Sequence, residues 1–180
     1  MDTDINNWIE ETESILTELR QIDFGYPLGE NVIRPPSPSL EPERVRSGLP
    51  PHIRHQLIKF YKCSDGLSWP DVRNGLFIES FDRLVTAGER GEPDELFVRG
   101  STERRGIIVF GTDGGGGRFC IDQTTGRILH VAGGEVLEKR LEVDSGQVSG
   151  VADDFVGFLV RLQGDLRAFV EDDREHQFLV

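Results

Sequence analysis

RGIIVFGTDGGGGRFCIDQTTGRILHV, residues 105–131, is the stretch whose reading decides the fold. An apolar run at 107–110 ends in Gly111, a second at 119–121 comes after the glycines at 114–117, and a third at 128–131 comes after the turn residues 123–126. Runs of β-branched and aromatic residues separated by Gly, Asp and Thr predict three strands joined by tight turns, an antiparallel meander. The four glycines invite a phosphate-loop reading. A phosphate cradle needs a helix N-terminus behind the glycines, and usually a Lys followed by Ser or Thr. Gly117 instead leads into Arg118-Phe119-Cys120-Ile121, a strand sequence, so the glycines are read as suppliers of positive φ in a hairpin.

The elements on either side are helical. Ile5, Trp8, Ile9, Thr12, Ile15, Leu16, Leu19 and Ile22 recur at spacings of three and four. They form one stripe of an amphipathic helix, with Thr3 or Asp4 as its N-cap and Phe24-Gly25-Tyr26-Pro27 as its end. A proline-rich connector spans 27–48, with one short helical turn expected at 41–46. Leu49-Pro50-Pro51 opens a second helix that carries Ile53, Leu57, Phe60 and Tyr61 on one face and stops at Ser64-Asp65-Gly66. Residues 76–78 read as a short strand, 81–85 as a strand or a helical turn, 86–94 as a loop, and 136–143 as an edge strand protected by its charges. A last helix runs from Ala152 to about Val170, capped by Ser149 or Asp153 and weakened by Gly157 and Gly164.

Charge narrows the function classes. The 180 residues, enough for one domain with elaborations, carry a net charge of −12. Such a surface repels nucleic acid and anionic membranes, and it speeds capture of a basic partner. The excess is held at the two ends of the chain, residues 1–24 and 153–180, the latter closing in an acidic tail at 171–180. No window approaches the roughly 18 apolar residues of a membrane span. Asp2 and Asp4 replace the basic-then-apolar pattern of a leader, so a cytoplasmic chain is expected. Cys63 and Cys120 lack metal-ligand spacing and read as half-buried thiols in a reducing compartment.

Three segments carry a family resemblance: Leu49-Pro50 opening a helix that runs through Phe60-Tyr61 to Asp65-Gly66; Gly111 and residues 113–116 between two strands; and Ala152, Phe155, Phe158 and Leu159 in the closing helix. Their order, spread over residues 48–162, resembles the SUKH superfamily, whose members include yeast cell-wall-assembly regulators and many bacterial toxin-immunity proteins. Arg118 departs from the pattern, since members often have an acid or amide directly after the glycine turn. The resemblance implies an α+β fold, with an antiparallel sheet of about four to six strands and N-terminal, central and C-terminal helices packed against it. It also implies one domain over 1–180, and binding rather than catalysis.

The residues themselves carry no catalytic constellation and call for no cofactor. His52 and His55 are three apart but no acid or thiol cluster completes a metal site, and Ser64 and Ser68 lack a nucleophile elbow. Asp113 and Asp122 bracket the glycine turn; paired carboxylates do acid–base work, but turn-stabilising aspartates are commoner. The expected function is therefore a non-enzymatic binding module, an immunity protein that neutralises a cationic, nuclease-type toxin domain with a carboxylate-rich surface. The alternative is an intracellular regulator or scaffold of the same fold acting on an endogenous protein, through its connector and tail. A monomer or weak homodimer is expected. The residues selected for partner binding are Asp65, Trp69 and Asp71 in one loop, Glu92, Asp94 and Glu95 in another, and Asp113 in the glycine turn. Trp69 sits between acids, where it either anchors a partner or folds over the core.

Overall fold

The computed structural model describes residues 4–38, 40–45 and 48–179. Asp2, the alternative cap Thr3, Ser39 of the connector, and Arg46 at the end of the expected short turn lie outside the described residues. The chain is α+β, with helices on one face of a ten-stranded sheet.

Helix α1 (Ile5–Leu19) is capped by Asp4, whose carboxylate accepts from Asn6 N–H at 3.0 Å. The predicted stripe is its buried face. Helix α2 (Pro51–Cys63) carries proline in its first turn and buries Ile53, Leu57, Phe60 and Tyr61. Helix α3 (Phe81–Val85) resolves the ambiguous stretch as helix, with Ser80 as its N-cap. The closing helix α4 (Phe155–Val170) starts later than expected. Its cap is Asp154, which accepts from Gly157 N–H at 2.7 Å, because residues 148–152 are committed to a strand.

The meander is as read: β5 (Arg104–Asp113), β6 (Arg118–Asp122) and β7 (Ile128–Val131) pair antiparallel in sequence order. On one flank β10 (Val148–Ala152) pairs with β7. On the other, β5 is long enough to hold two neighbours end to end. Its C-terminal part pairs with β3 (Leu76–Ile78), which continues through β2 (Leu67–Trp69) to β1 (Val32–Ile33). Its N-terminal part pairs with β4 (Glu95–Val98), which continues through β9 (Arg140–Val143) to β8 (Glu135–Leu137). The β4–β9 pair is parallel; every other pair is antiparallel. Ten strands replace the expected four to six because β1, β2, β3 and β8 have only two or three residues each. The single edge strand expected at 136–143 is a hairpin, turning at Glu138 with φ +57°.

Both faces of the meander are buried. Ile108, Phe110, Phe119, Ile121 and Ile128 point into the main core under α1, α2 and α4. The alternate residues Ile107, Val109, Cys120, Leu129 and Val131 pack on Leu96 of β4 and on Leu141 and Val143 of β9. The branch β4–β9–β8 thus folds under the sheet as a second layer. Two-sided burial explains why 107–110 is continuously apolar rather than alternating, and why every residue of 128–131 is buried, His130 included. Burial pushes the Cys120 thiol up to about 12, and Cys63 and Cys120 are both free thiols.

Helices α1 and α4 lie side by side and parallel. Trp8 Nε1 donates to Leu159 O at 2.8 Å, Gln163 Nε2 donates to Thr12 Oγ1 at 2.8 Å, and Arg167 pairs with Glu18 at 2.7 Å. These three rungs satisfy the buried indole and the buried threonine, so the polar groups inside this helix pair are hydrogen-bonded. No helix among the described residues is long and apolar enough to cross a membrane.

Candidate functional site

Parallel packing of α1 and α4 brings their C-terminal ends to one pole of the molecule. Asp23, at the end of the first acidic segment, and the acidic tail lie there, while Asp4, Glu10, Glu11 and Glu13 lie along α1 toward its other end. Asp23, Glu171, Asp172, Asp173 and Glu175 are all exposed, against the exposed cations Arg20, Arg73 and Arg174 and against Arg167, which pairs with Glu18 and Glu171. Between them is an open cleft of about 770 Å³. Its floor and walls are Ile22 and Phe24 from the chain leaving α1, Phe169 and Val170 from α4, and His176 and Phe178 from the tail. The Phe24 and Phe169 rings stack at 6.1 Å between centroids with 10° between planes.

The tail is not loose. Asp165 on α4 is buried and holds it at two points, accepting from Leu179 N–H at 2.8 Å and bonding His176 Nε2 at 2.8 Å. Leu179 is buried beside it, and the Arg73 guanidinium lies over the Phe178 ring at 4.4 Å. A Cβ added to Gly164 would lie 4.0 Å from the nearest atom of His176, an ordinary van der Waals contact, so the tail's position does not require glycine there.

Burial raises the Asp165 carboxyl above its ordinary range, against the opposing bonds from Leu179 and His176 and the charges of His176 and Arg161. The folded chain therefore keeps this proton to higher pH than the unfolded chain does. The group favours folding below its ordinary value of about 4, and that contribution is lost as pH rises through the raised value. Asp165→Asn cannot ionise. Relative to wild type it is expected to gain stability as pH rises above the ordinary carboxyl value of about 4, read by urea unfolding at fixed ionic strength. Parallel pH profiles would contradict this.

The sequence-selected residues divide into three groups. Trp69 is corrected: it lies in β2, fully buried in the main core, the second of the two places its sequence context allowed. The expected loop is a strand because Ser68 pairs with Phe77 on one side and Val32 on the other, turning Leu67 and Trp69 inward. Asp65 and Asp71 are half-buried structural acceptors. Asp65 Oδ1 accepts from Phe81 N–H at 2.7 Å and its carbonyl accepts from Arg34 Nε at 2.8 Å. Asp71 Oδ2 accepts from Gly29 N–H at 2.7 Å and from Asn31 Nδ2 at 2.6 Å. Both acids pin the proline-rich connector to the sheet. Glu92, Asp94 and Glu95 belong to the second layer: Asp94 N–H donates to Lys139 O at 2.9 Å, Glu95 pairs with Arg104 at 3.5 Å, and Glu92 lies 3.9 Å from Arg90. They are not brought to the acidic pole by any contact.

Asp113 organises the glycine turn. Its Oδ1 accepts from Gly115 N–H at 2.8 Å and Gly117 N–H at 2.7 Å, and its Oδ2 lies 2.7 Å from His130 Nε2. A Cβ on Gly117 would collide with both the carboxylate and the imidazole, which is why glycine stands there. Asp122 does the same at the next turn, accepting from Thr124 and Thr125 N–H at 2.9 Å each; it faces its own turn rather than Asp113. Asp113→Ala strands two amides and an imidazole and is expected to cost about 1.5–3 kcal/mol by urea unfolding. Asp113→Asn, which keeps a carbonyl oxygen for the amides, should recover most of that loss. The glycine turn adjoins the acidic pole, since Gly114 N–H donates to Gly75 O at 3.0 Å, two residues beyond Arg73.

His52 and His55 are both exposed, and no group of three or more His, Cys, Asp or Glu among the described residues is placed to hold a metal ion. No protein-family model matches the chain, and no curated protein matches it.

Proposed function

We propose that this chain is a protein-binding module of the SUKH type, an immunity protein that engages a basic, nuclease-type toxin domain in the cytoplasm and covers its active site with carboxylates. The observation that carries this reading is the exposed acidic tail, Glu171, Asp172, Asp173 and Glu175, set with Asp23 beside an aromatic-walled cleft. On a chain of net charge −12 it attracts a cationic surface and accelerates its docking. A nuclease binds phosphates through a basic site, and clustered carboxylates present the same sign of charge. The resemblance of residues 48–162 to the superfamily supports the same reading.

Isothermal titration of the full chain with the toxin domain encoded beside it tests the proposal. A sub-micromolar complex whose association rate falls steeply with added salt is expected. No heat at micromolar concentrations would overturn it.

A further inference from the structure

We propose that Asn74 is a latent modification site: the glycine turn keeps it closed while the protein is folded, and once it has reacted to isoaspartate that turn cannot seat again. Asn74-Gly75 is the only Asn-Gly pair in the chain. Asparagine is thermolabile, and a following glycine, with no Cβ, leaves its side chain open to attack by the next backbone nitrogen. In that reaction the Gly75 nitrogen gives its proton to a base in the solvent and bonds Asn74 Cγ. The bond from Cγ to Nδ2 breaks, and the side-chain nitrogen leaves as ammonia. Water then opens the cyclic imide. Opening at Cγ leaves aspartate; opening at the main-chain carbonyl carbon leaves isoaspartate, whose backbone runs through Cβ and Cγ. Water is the co-reactant, and nothing is oxidised or reduced.

The fold restrains the attacking nitrogen. Asn74 is exposed to water, but Gly75 is buried. Gly75 N–H donates to Val72 O at 2.9 Å, and Gly75 O accepts from Gly114 N–H at 3.0 Å. Leu76, next in the chain, is in register with Asp113 in the β3–β5 pair. Gly75 also has φ +95°, and a Cβ there would stand 2.9 Å from the Phe77 ring, so glycine has to follow Asn74. Attack requires the Gly75 nitrogen to leave Val72 and swing toward Cγ. The glycine turn must lift from Gly75 first, a local opening with its own free energy.

The same contact excludes the product. A Cβ added to Gly114 would collide with the Asn74 carbonyl oxygen, so the two backbones touch with no room between them. Isoaspartate inserts one more backbone bond, about 1.5 Å of chain, at this contact. The added atom displaces Gly114, and with it the Gly115 and Gly117 amides that Asp113 gathers. Each opening that reacts is therefore recorded irreversibly.

The test follows Asn74 by peptide mass mapping in one mildly alkaline buffer, with isoaspartate separated from aspartate by chromatography. The full chain is compared folded, unfolded in urea, and as folded Asp113→Ala, which frees the turn amides. Loss of Asn74 should be at least about ten-fold slower in the folded chain than in the unfolded one, and about three-fold or more faster in folded Asp113→Ala than in folded wild type. Folded and unfolded rates equal within about two-fold would overturn the guard, as would a folded Asp113→Ala that reacts no faster than wild type. Hydrogen exchange on the wild type tests the same point without a variant: the Gly75 amide should be protected, and free exchange there would overturn it. Chain aged in urea and returned to buffer should then divide. Molecules that retain Asn74 regain the wild-type melt, and the isoaspartate species melts at least about 5 °C lower. Asn74→Asp, which carries the new charge without the extra backbone atom, should melt within about 2 °C of wild type. An isoaspartate species that regains the wild-type melt, or an Asn74→Asp variant that melts as low as isoaspartate does, would overturn the exclusion of the product.

Discussion

Phe158→Ala is expected to destabilise the protein by about 3–5 kcal/mol, the cost of emptying a large aromatic site in a close-packed core. Phe158 is fully buried at the centre of a ring cluster. Its centroid lies 5.1 Å from Phe110 at 90°, 5.0 Å from Phe119 at 58°, and 6.3 Å from Phe155. Phe60 extends the cluster through Phe155 at 5.3 Å, and Tyr61 extends it again through Phe60 at 5.2 Å. The cluster joins α4 to α2 and to β5 and β6, so one truncation loosens every layer of the main core. Edge-to-face pairs add about 0.5–1.5 kcal/mol beyond area burial, so the loss should lie at the upper end of the range. For a domain of this size that corresponds to a fall in Tm of roughly 6–20 °C by calorimetry. Phe158→Leu, which refills most of the volume, should recover about half of it. A Phe158→Ala variant melting within a degree or two of wild type would show that the helices do not depend on the sheet through this cluster.

Much of this core is legible in the sequence because it obeys two periods. The stripe of α1, the face of α2, and Phe155, Phe158, Leu159 and Leu162 of α4 repeat at helical spacing, and all are buried except Ile9 and Ile22, which are half-buried. Strands β3, β5, β6 and β7 stand on the runs read at 76–78, 107–110, 119–121 and 128–131. The parts that escape have causes remote in sequence. β4 comes after Pro93 and has a charged first residue, and its place is set by parallel pairing with β9, over forty residues later. β10 contains Ser149, which reads as a helix cap, and Gly150; both are exposed in a strand that pairs with β7. The second layer is encoded only indirectly, by the continuous apolar runs that need cover on both faces.

The site is less legible than the fold. Asp113 stands out by its charge, while its partner His130 carries no signal, because the two meet only through the β5–β6–β7 register, across Phe119, which pairs with His130. Acid count alone marks both chain ends, and it takes the parallel packing of α1 on α4 to bring Asp23 to the acidic tail. The tail clamp of Asp165 on His176 and Leu179 has no sequence signature: a buried aspartate on a helix looks like any polar position until the chain folds back on it. Trp69 shows the converse. Flanked by acids, and with Pro70 next to it, it has the sequence context of an exposed anchor, yet three residues of strand pairing turn it inward.

Gly66→Ala is expected to abolish stable folding, read as loss of soluble yield or of a cooperative thermal transition. Two separate penalties meet at this position. Gly66 has φ +86°, a region that costs other residues of order 1–3 kcal/mol. A Cβ there would also strike the Ile78 carbonyl and stand 2.6 Å from the Glu79 carbonyl, both backbone atoms of the neighbouring chain. Neither can yield cheaply. Ile78 is in register with Leu67 in the β2–β3 pair, the Ile78 carbonyl also accepts from Arg34, and Glu79 O accepts from Tyr61 OH at 2.9 Å. The same turn takes Arg34 N–H onto Gly66 O at 2.9 Å, so the connector, α2 and the sheet are all registered here. Gly25→Ala separates the two penalties. Gly25 has φ +74° but nothing within 4 Å of an added Cβ, so it should lose only the conformational part, about 1–3 kcal/mol, and still fold. Equal losses at the two positions would mean that backbone conformation, not the closeness of the strands, requires glycine after Asp65. A much larger loss at Gly66 would place the constraint in the approach of α2's end to β3, the joint on which the seating of the connector depends.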